Sequence, residues 1–256
     1  MPLLLLLEHP AVRSAIAAEL GREIEYHAAI GSTQTRAREL AAQGLARGLV
    51  VADEQHAGQG THDRVWHAAK GTSLLASWIM RPAPQVPALF AALAGVAIVR
   101  ALDRLGCAGA TLKWPNDVEQ GGRKLAGALA HATSDGGGGI LVLGIGINVH
   151  QRASDFRPEL RETATSLRVL GRSVDRLALL ARLSGELDRL EDPTERVLAM
   201  DEWRARCSLI GKGVEIRASG RAPFAGTATA IDDEGALLVH TATGIERVVT
   251  GEVRPA

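Results

Sequence analysis

The sequence has few of the residues that mark several common protein classes. Only 3% of its residues are aromatic, which argues against a surface on which nucleic-acid bases stack. Its 29 basic and 29 acidic residues give a formal net charge of +0, so no basic field would draw it to nucleic acid or to an acidic membrane. Cys107 and Cys207 show neither metal-ligand spacing nor a disulfide framework, and we expect two buried, reduced thiols of a cytoplasmic protein.

Long apolar runs are also scarce. The leucines at 3–7 follow Met-Pro without a basic region, and Glu8, His9 and Pro10 end this run far short of a membrane span. Residues 11–20 predict a short helix, and the space before the first predicted strand is too small for a helix-turn-helix. Neither a membrane nor DNA is therefore an expected partner.

The central stretch, residues 111–129, predicts an antiparallel hairpin. Gly121 and Gly122 can supply the positive φ that a tight turn needs, and the link between the two apolar runs is too short for a parallel crossover. Pro115 cannot donate to a strand ladder. Residues 114–117 should therefore lie at a strand end or bulge, with Asn116 and Asp117 directed out of the sheet.

This hairpin carries charges where a core would be expected. Lys113, Asp117 and Lys124 interrupt segments of Leu, Val, Ala and Trp, and a buried charge without a partner is costly. Snorkelling to solvent explains any single lysine. The three charges together favour a polar or anionic ligand at this place.

Glycines leave two predicted strands with few side chains on one face. Gly127 lies between two alanines, and Gly144 and Gly146 alternate with large apolar residues before Asn148. Alternation along a strand strips side chains from one face, which suits close approach of a flat ligand. A dinucleotide-binding fingerprint is a poor alternative because the further glycines and the following helix are missing.

Two polar segments precede these strands. Ser32 or Thr33 is a natural N-cap for a helix that runs to about residue 43, and a helix N-terminus also offers free N–H donors to a ligand. A buried strand at 49–52 leads into a polar loop at 53–66, in which Gly58 and Gly60 permit movement or close approach to an anion. Capping and an ordinary surface loop would explain both segments equally well.

The remaining pattern predicts an α+β fold, a mixed or antiparallel sheet flanked by helices. Strands are expected at 23–29, 72–80 and 140–149, and helices at 88–105, 174–190 and 195–206, with breaks at Pro82, Pro84, Pro87 and Pro193 and a glycine-rich turn at 134–139. Short, regular strands at 214–217, 225–230, 236–240 and 246–250 suggest a small β-barrel. We therefore predict two domains, residues 1–208 and 209–256.

One block of the central stretch is specific enough to suggest a family. Lys113-Trp114-Pro115-Asn116-Asp117, followed after a short spacer by Lys124-Leu125-Ala126-Gly127, resembles the central signature of the biotin protein ligases, which attach biotin to a lysine of carboxylase carrier domains. The resemblance covers nearly the whole chain after Tyr26. It implies a class II synthetase-like catalytic domain, an SH3-like C-terminal barrel, biotin and ATP as substrates, Mg²⁺, a biotin carboxyl carrier domain as partner and a possible homodimer.

The resemblance also implies roles for individual residues. The biotin-binding set would be Ser32, Thr33, Gln34, Gln55, Gly58, Gln59, Gly60, Thr61, Lys124, Gly127, Leu129 and Gly144. The ATP-binding set would be Arg64, Trp66, Lys113, Asn116, Lys124 and Asn148. Lys124, Asp117 and Arg64 would be catalytic, and no metal ligand is assigned.

The loop at 53–66 departs from the family pattern Gly-Arg-Gly-Arg-x-Gly-Arg-x-Trp. Gln59 and Thr61 stand where the family has arginines, and Asp63 replaces a glycine. Hydrogen bonds to a charged group contribute about 1.5–3 kcal/mol each, so losing two would weaken the hold on an adenylate by roughly a hundredfold to ten-thousandfold. Either the loop releases its intermediate, or His56, His62 or Arg64 compensates.

Two other functions stay open on the sequence alone. A lipoate or octanoate ligase resembles this fold but lacks the Lys-Trp-Pro-Asn-Asp block. A non-catalytic biotin-binding protein would account for the altered loop, and it would bind biotin without consuming ATP.

Overall fold

The computed structural model describes residues 3–61, 64–81, 83, 87–133, 139–218 and 221–256. The α-helices are α1 (Pro10–Glu19), α2 (Thr33–Ala42), α3 (Pro87–Arg104), α4 (Arg176–Arg189) and α5 (Pro193–Arg206). The strands are β1 (Glu23–His27), β2 (Arg47–Ala52), β3 (Ser73–Met80), β4 (Thr111–Lys113), β5 (Asp117–Gln120), β6 (Arg123–Thr133), β7 (Ile140–Asn148), β8 (Gly213–Arg217), β9 (Phe224–Ile231), β10 (Leu237–Thr241), β11 (Gly244–Val248) and β12 (Glu252–Pro255). The predictions about His62, Asp63, Pro82, Pro84 and the turn at 134–138 fall outside the described residues.

The strands β1 to β7 form a seven-stranded mixed sheet. Its strand order is β1-β2-β3-β7-β6-β5-β4, and β1 and β2 run parallel while the other neighbouring strands pair antiparallel. Helices cover both faces, since α2 contacts β2, β3 and β7, and α3 contacts β4, β5 and β6. This arrangement confirms the predicted α+β class.

Two apolar cores result from this layering. All eight residues of β3 are buried, because one face of the strand meets α2 and the other meets the core beneath α3 and α4. The larger core contains Trp78, Phe90 and Trp203, and the smaller one joins Ala37 and Ala41 of α2 to Ile79. The cavity described below lies on the α2 side of the sheet.

Side-chain caps mark the starts of α2, α4 and α5. The Ser32 hydroxyl accepts from the Thr35 N–H at the start of α2, as expected. The Asp175 carboxylate accepts two backbone N–H groups at the start of α4. Pro193 begins α5 after the Asp192 cap, because proline at the first helical position removes no helical hydrogen bond.

The predicted hairpin is part of a three-stranded meander. Gly121 and Gly122 adopt φ of 60° and 72° and connect β5 to β6 antiparallel, which confirms the turn. The first predicted strand is divided into β4 and β5 by a turn that contains a cis Trp114–Pro115 peptide. Proline interrupts the ladder there, as its missing N–H requires.

The C-terminal residues form a separate five-stranded antiparallel sheet of order β11-β10-β9-β8-β12. The sequence predicted four of these strands and missed β12, which pairs with β8. The turn between β4 and β5 contacts the turn between β9 and β10, where the Trp114 indole N–H donates to the Gly235 carbonyl at 2.9 Å. Arg204 adds a hydrogen bond to the Ile231 carbonyl at 3.0 Å.

Two smaller expectations concern the cysteines and the membrane. Both cysteines are free, and Cys107 is buried as expected, whereas Cys207 is only partly buried. Burial raises the pKa of both thiols. Across the described residues, none of the helices combines the length and apolarity needed to cross a bilayer.

Candidate active site

A cavity on the α2 face of the large sheet gathers most of the residues that the sequence singled out. From the predicted sets its lining contains Ser32, Thr33, Gln34, Gln55, Gln59, Gly60, Thr61, Trp66, Asn116, Asp117, Lys124, Gly127, Leu129 and Gly144. Six further lining residues were absent from the predicted binding sets, although the strand face at Gly146 was expected to suit close approach of a ligand; they are Leu75, Ala76, Ser77, Ala128, Ile145 and Gly146. Most of these lie on β3 and β7, and the alternation of residues along those strands could have found Leu75 and Ser77.

One end of the cavity is a network of neutral polar groups. The Gln55 Oε1 accepts from the Thr33 backbone N–H at 2.7 Å and lies 3.0 Å from the Thr33 hydroxyl. The Ser77 hydroxyl lies 2.9 Å from the Thr33 oxygen. Because Gln55 uses its carbonyl oxygen on Thr33, its NH₂ group remains available as a donor.

Gln34 forms the floor of this polar end. Its Nε2 donates to the Val142 carbonyl at 3.0 Å, and its Oε1 accepts from Ser77 at 3.1 Å. Its side chain lies directly over Gly144. The amide of Gln34, which was predicted to contact biotin, is thus engaged by the protein and holds α2 against β7.

The other end of the cavity is charged. Lys124 on β6 forms an ion pair with Asp117 on β5, with Nζ 2.6 Å from Oδ1. Gly127 makes room for both, since a Cβ there would lie 3.2 Å from the carboxylate and 3.3 Å from Nζ. Both side chains are partly exposed, so each can meet a ligand.

Trp66 covers the charged end. Its ring centroid lies 5.8 Å from the Lys124 Nζ, within the range of a cation–π contact. The indole lies against Gly146, where a Cβ would be only 2.6 Å from the ring. The strand face that the glycines leave bare is therefore occupied by Gln34 and Trp66 of this chain.

The register of β6 and β7 fixes the distance between the two ends. Leu129 pairs with Gly144 at the polar end, and Gly127 pairs with Gly146 at the charged end. Two residues along a strand span about 7 Å. The cavity is therefore elongated, with hydroxyl and amide groups at one end and an ion pair at the other.

Four predicted residues lie apart from the lining. Lys113 pairs with Glu119, with Nζ 3.1 Å from Oε1. Asn148 is buried and donates to the Thr165 carbonyl at 3.0 Å. Gly58 accepts from the Trp66 N–H at 3.0 Å, and a Cβ on Gly58 would lie 2.6 Å from the Trp66 carbonyl oxygen, so it shapes the loop from behind.

Arg64, the fourth, connects the loop to the C-terminal sheet. Its Nη2 lies 2.9 Å from the Glu252 Oε1 at the start of β12. Burial alone would raise the pKa of Glu252, but the hydrogen bonds from Arg64 and Arg254 outweigh it and lower that pKa. The loop over the cavity is thereby tied to the C-terminal sheet.

The donor set gives little support for a metal site built by the protein. Asp117 is the carboxylate among the described lining residues, and it is paired with Lys124. Within the described parts of the chain, no cluster of three or more His, Cys, Asp or Glu side chains is placed to hold a metal ion. Mg²⁺ commonly relies on one or two carboxylates together with substrate phosphates and water.

Comparison with known proteins shows which sequences this chain resembles. Residues 26–148 match the model of the biotin/lipoate A/B protein ligase family, and residues 209–254 match the biotin protein ligase C-terminal domain. The chain is 33% identical to the bifunctional ligase/repressor BirA of Bacillus subtilis, with 96% of this chain and 78% of that protein covered. It is 34% identical to the biotin--[acetyl-CoA-carboxylase] ligase of Mycobacterium tuberculosis, over 91% of this chain and 88% of the relative.

Solved structures show the same fold. The biotin protein ligase of Aquifex aeolicus in complex with biotin and ATP superposes with a TM-score of 0.78 at 25% identity, covering 91% of this chain and 99% of the other. The ligase of Leishmania major in complex with biotinyl-5-AMP gives a TM-score of 0.57 at 25% identity, over 91% of this chain and 98% of the other.

Proposed function

The chain belongs to the biotin/lipoate A/B protein ligase family, and from this premise we propose that it is an ATP-dependent biotin protein ligase. It would activate biotin as biotinyl-AMP and transfer biotin to a lysine of a biotin carboxyl carrier domain of acetyl-CoA carboxylase or a related enzyme. The observation that carries the proposal is the two-ended cavity, with Thr33, Gln55 and Ser77 at one end and Lys124 and Asp117 at the other.

This cavity complements biotin chemically. The ureido ring is neutral and offers one acceptor and two donors, which the amide and hydroxyl groups at the polar end can satisfy. The valerate chain is apolar and would lie along Leu75 and Leu129. Its carboxylate would then meet Lys124 at the charged end.

A carboxylate must be activated before an amine can attack it. In the first step a carboxylate oxygen attacks the α-phosphorus of ATP, a new P–O bond forms, and pyrophosphate leaves. Lys124 would hold the two negatively charged groups together, because positioning and charge neutralisation dominate this chemistry. Trp66 and Asn116, which line the same end, would contact the nucleotide.

In the second step the acceptor lysine attacks the acyl carbon, and AMP leaves with the electrons of the broken C–O bond. The attacking amine must lose a proton, and Asp117 would accept it or orient the amine. ATP would bring Mg²⁺ on its phosphates, since the described lining supplies one paired carboxylate.

The residues outside the lining receive supporting roles in this proposal. Gly58 would shape the loop, and Arg64 would hold it through Glu252. Lys113 and Asn148 would stabilise the walls of the nucleotide end through Glu119 and the Thr165 carbonyl.

The altered loop would close with neutral contacts. Gln59 donates to the Thr35 hydroxyl at 3.2 Å, and Thr61 lines the cavity. Neither brings a positive charge to the adenylate. We therefore infer an active enzyme that releases free biotinyl-AMP more readily than a loop with arginines would.

We also propose the division into a catalytic domain at 1–208 and a C-terminal SH3-like domain at 209–256, a cytoplasmic location and a possible homodimer. The start of the C-terminal family match at residue 209 supports the division. Light scattering of the purified protein would test the dimer.

Biotin-dependent exchange of pyrophosphate into ATP tests the proposed activity, with lipoate and octanoate as competitors. Exchange that requires biotin and resists the other acids is the expected result. Exchange driven by lipoate or octanoate would favour the related ligases, and biotin binding without exchange would favour a non-catalytic biotin-binding protein.

A further inference from the structure

A buried ion pair lies at the root of the loop that covers the cavity. Asp53 directly follows β2 and is 2% exposed, and Arg176, the first residue of α4, is 1% exposed. The Arg176 Nη1 lies 2.7 Å from the Asp53 Oδ1. Neither residue lines the cavity as described, so the proposed chemistry does not use them directly.

The same nitrogen of Arg176 holds both ends of the loop segment. It donates to Asp53, where the segment leaves β2, and to the Ser73 carbonyl at 3.1 Å, where the chain enters β3. The Gly71 N–H closes the segment further by donating to the Asp53 carbonyl at 2.9 Å. Residues 53–73 thus start and end at one guanidinium.

Tyr26 on β1 contacts the same carboxylate, and we call this group of Arg176, Asp53, Ser73 and Tyr26 the clamp. The Tyr26 hydroxyl donates to the second Asp53 oxygen at 2.9 Å. Burial, together with that hydrogen bond, raises the pKa of Tyr26. The phenol therefore remains protonated, and both oxygens of the carboxylate are fixed.

Asp53 lies two residues before Gln55, which lines the cavity, so the position of Asp53 affects that of Gln55. Ile30 forms a parallel bridge with Gln55, since the Ile30 N–H donates to the Glu54 carbonyl at 3.1 Å and the His56 N–H donates to the Ile30 carbonyl at 3.0 Å. Gln55 then meets Thr33 at the polar end. A shift at Asp53 would move Gln55 relative to Thr33.

We propose that Arg176 is a positioning residue, which fixes Gln55 and the following loop against α2 by clamping Asp53 and Ser73. The identity of the ligand as biotin rests on the proposed function. Fold stability is a weak reason for such a pair, because a buried ion pair seldom stabilises more than apolar side chains of the same volume.

Arg176→Lys tests the clamp, because it keeps the charge but replaces the rigid planar guanidinium that fixes Nη1 by a compact ammonium on a flexible stem. Arg22→Lys is the matched control. Arg22 is also buried and ion-paired, with Asp188, away from the loop. Amide hydrogen exchange and titration calorimetry with biotin are measured on the full chain at a temperature at which each variant is folded.

The clamp predicts that Arg176→Lys speeds amide exchange at residues 54–57 and raises the Kd for biotin about tenfold, equivalent to about 1.4 kcal/mol. Arg22→Lys should change neither. Tyr26→Phe, which removes one contact and leaves the ion pair, should act in the same direction more weakly, and it keeps the test decisive if Arg176→Lys does not fold.

The positioning role would be overturned if amide exchange at residues 54–57 were unchanged in folded Arg176→Lys. It would also be overturned if both arginine variants had equal effects in proportion to their loss of stability. A wild-type protein that fails to bind biotin would instead refute the proposed function. The exchange comparison would still decide the clamp in that case.

Discussion

Gly146 on β7 lies directly beneath the indole of Trp66, and its replacement by alanine should displace that ring. The new Cβ would lie 2.6, 2.8 and 2.9 Å from three ring atoms, whereas carbon atoms in contact lie about 3.5–4.0 Å apart. The ring must therefore retreat by about 1 Å. The backbone of β7 cannot yield easily, because β3 and β6 pair with it on both sides.

We expect Gly146→Ala to lower the rate of adenylation more than the stability of the fold. Overpacking typically costs about 1–3 kcal/mol, but Trp66 is half-buried and lies on a loop, so we expect the low end of that range. A misplacement of about 1 Å near reacting groups can lower a rate about a hundredfold. Gly146→Ala should thus stay folded and lose adenylation by about one to two orders of magnitude.

Thermal unfolding, tryptophan fluorescence and biotin-dependent pyrophosphate exchange together test this expectation. Gly185→Ala is the control, since Gly185 is exposed in α4 and a Cβ there meets nothing within 4 Å. That variant should gain about 0.5–1 kcal/mol of stability without any change in the rate of pyrophosphate exchange. Wild-type exchange rates in Gly146→Ala would refute the placement of Trp66 in the site.

Four further predictions follow from the charged end and the loop. Lys124→Ala should abolish adenylate formation while circular dichroism shows a preserved fold, and Asp117→Asn should lose mainly transfer to the acceptor, as separate single-turnover assays of each step would show. Thr61→Arg should slow the release of free biotinyl-AMP about tenfold to a hundred-and-fiftyfold, measured by stopped-flow dissociation. Glu252→Gln should loosen the loop at neutral pH, seen as faster amide exchange around Arg64. The pKa of Glu252 is lowered in the folded protein, so the contact is present above the ordinary glutamate pKa and is lost as the pH falls through the depressed value. Amide exchange around Arg64 in the wild type should therefore become as fast as in Glu252→Gln only at acidic pH.

Much of the fold could be predicted because local signals and the tertiary structure agree. The Ser32 cap, the Gly121-Gly122 turn and the long apolar helix at α3 appear where periodicity and turn chemistry indicated. The family signature similarly identified Lys124 and Asp117, and the β5–β6 register brings them together.

The remaining features depend on contacts between distant parts of the chain. No local pattern could show that the Gln34 amide donates to the Val142 carbonyl, or that Arg64 pairs with Glu252. The strand β12 was missed because Glu252–Pro255 is short and its partner β8 lies far away in sequence. The buried Asp53–Arg176 pair joins residues 123 positions apart.

We propose that the protein activates biotin in this cavity and passes it to a carrier lysine. The most direct test is a mass-spectrometric assay with biotin, Mg-ATP and a biotin carboxyl carrier domain, which follows free biotinyl-AMP and the acceptor lysine together. We expect a biotinylated acceptor accompanied by abundant free biotinyl-AMP. Folded protein that yields neither product would contradict it.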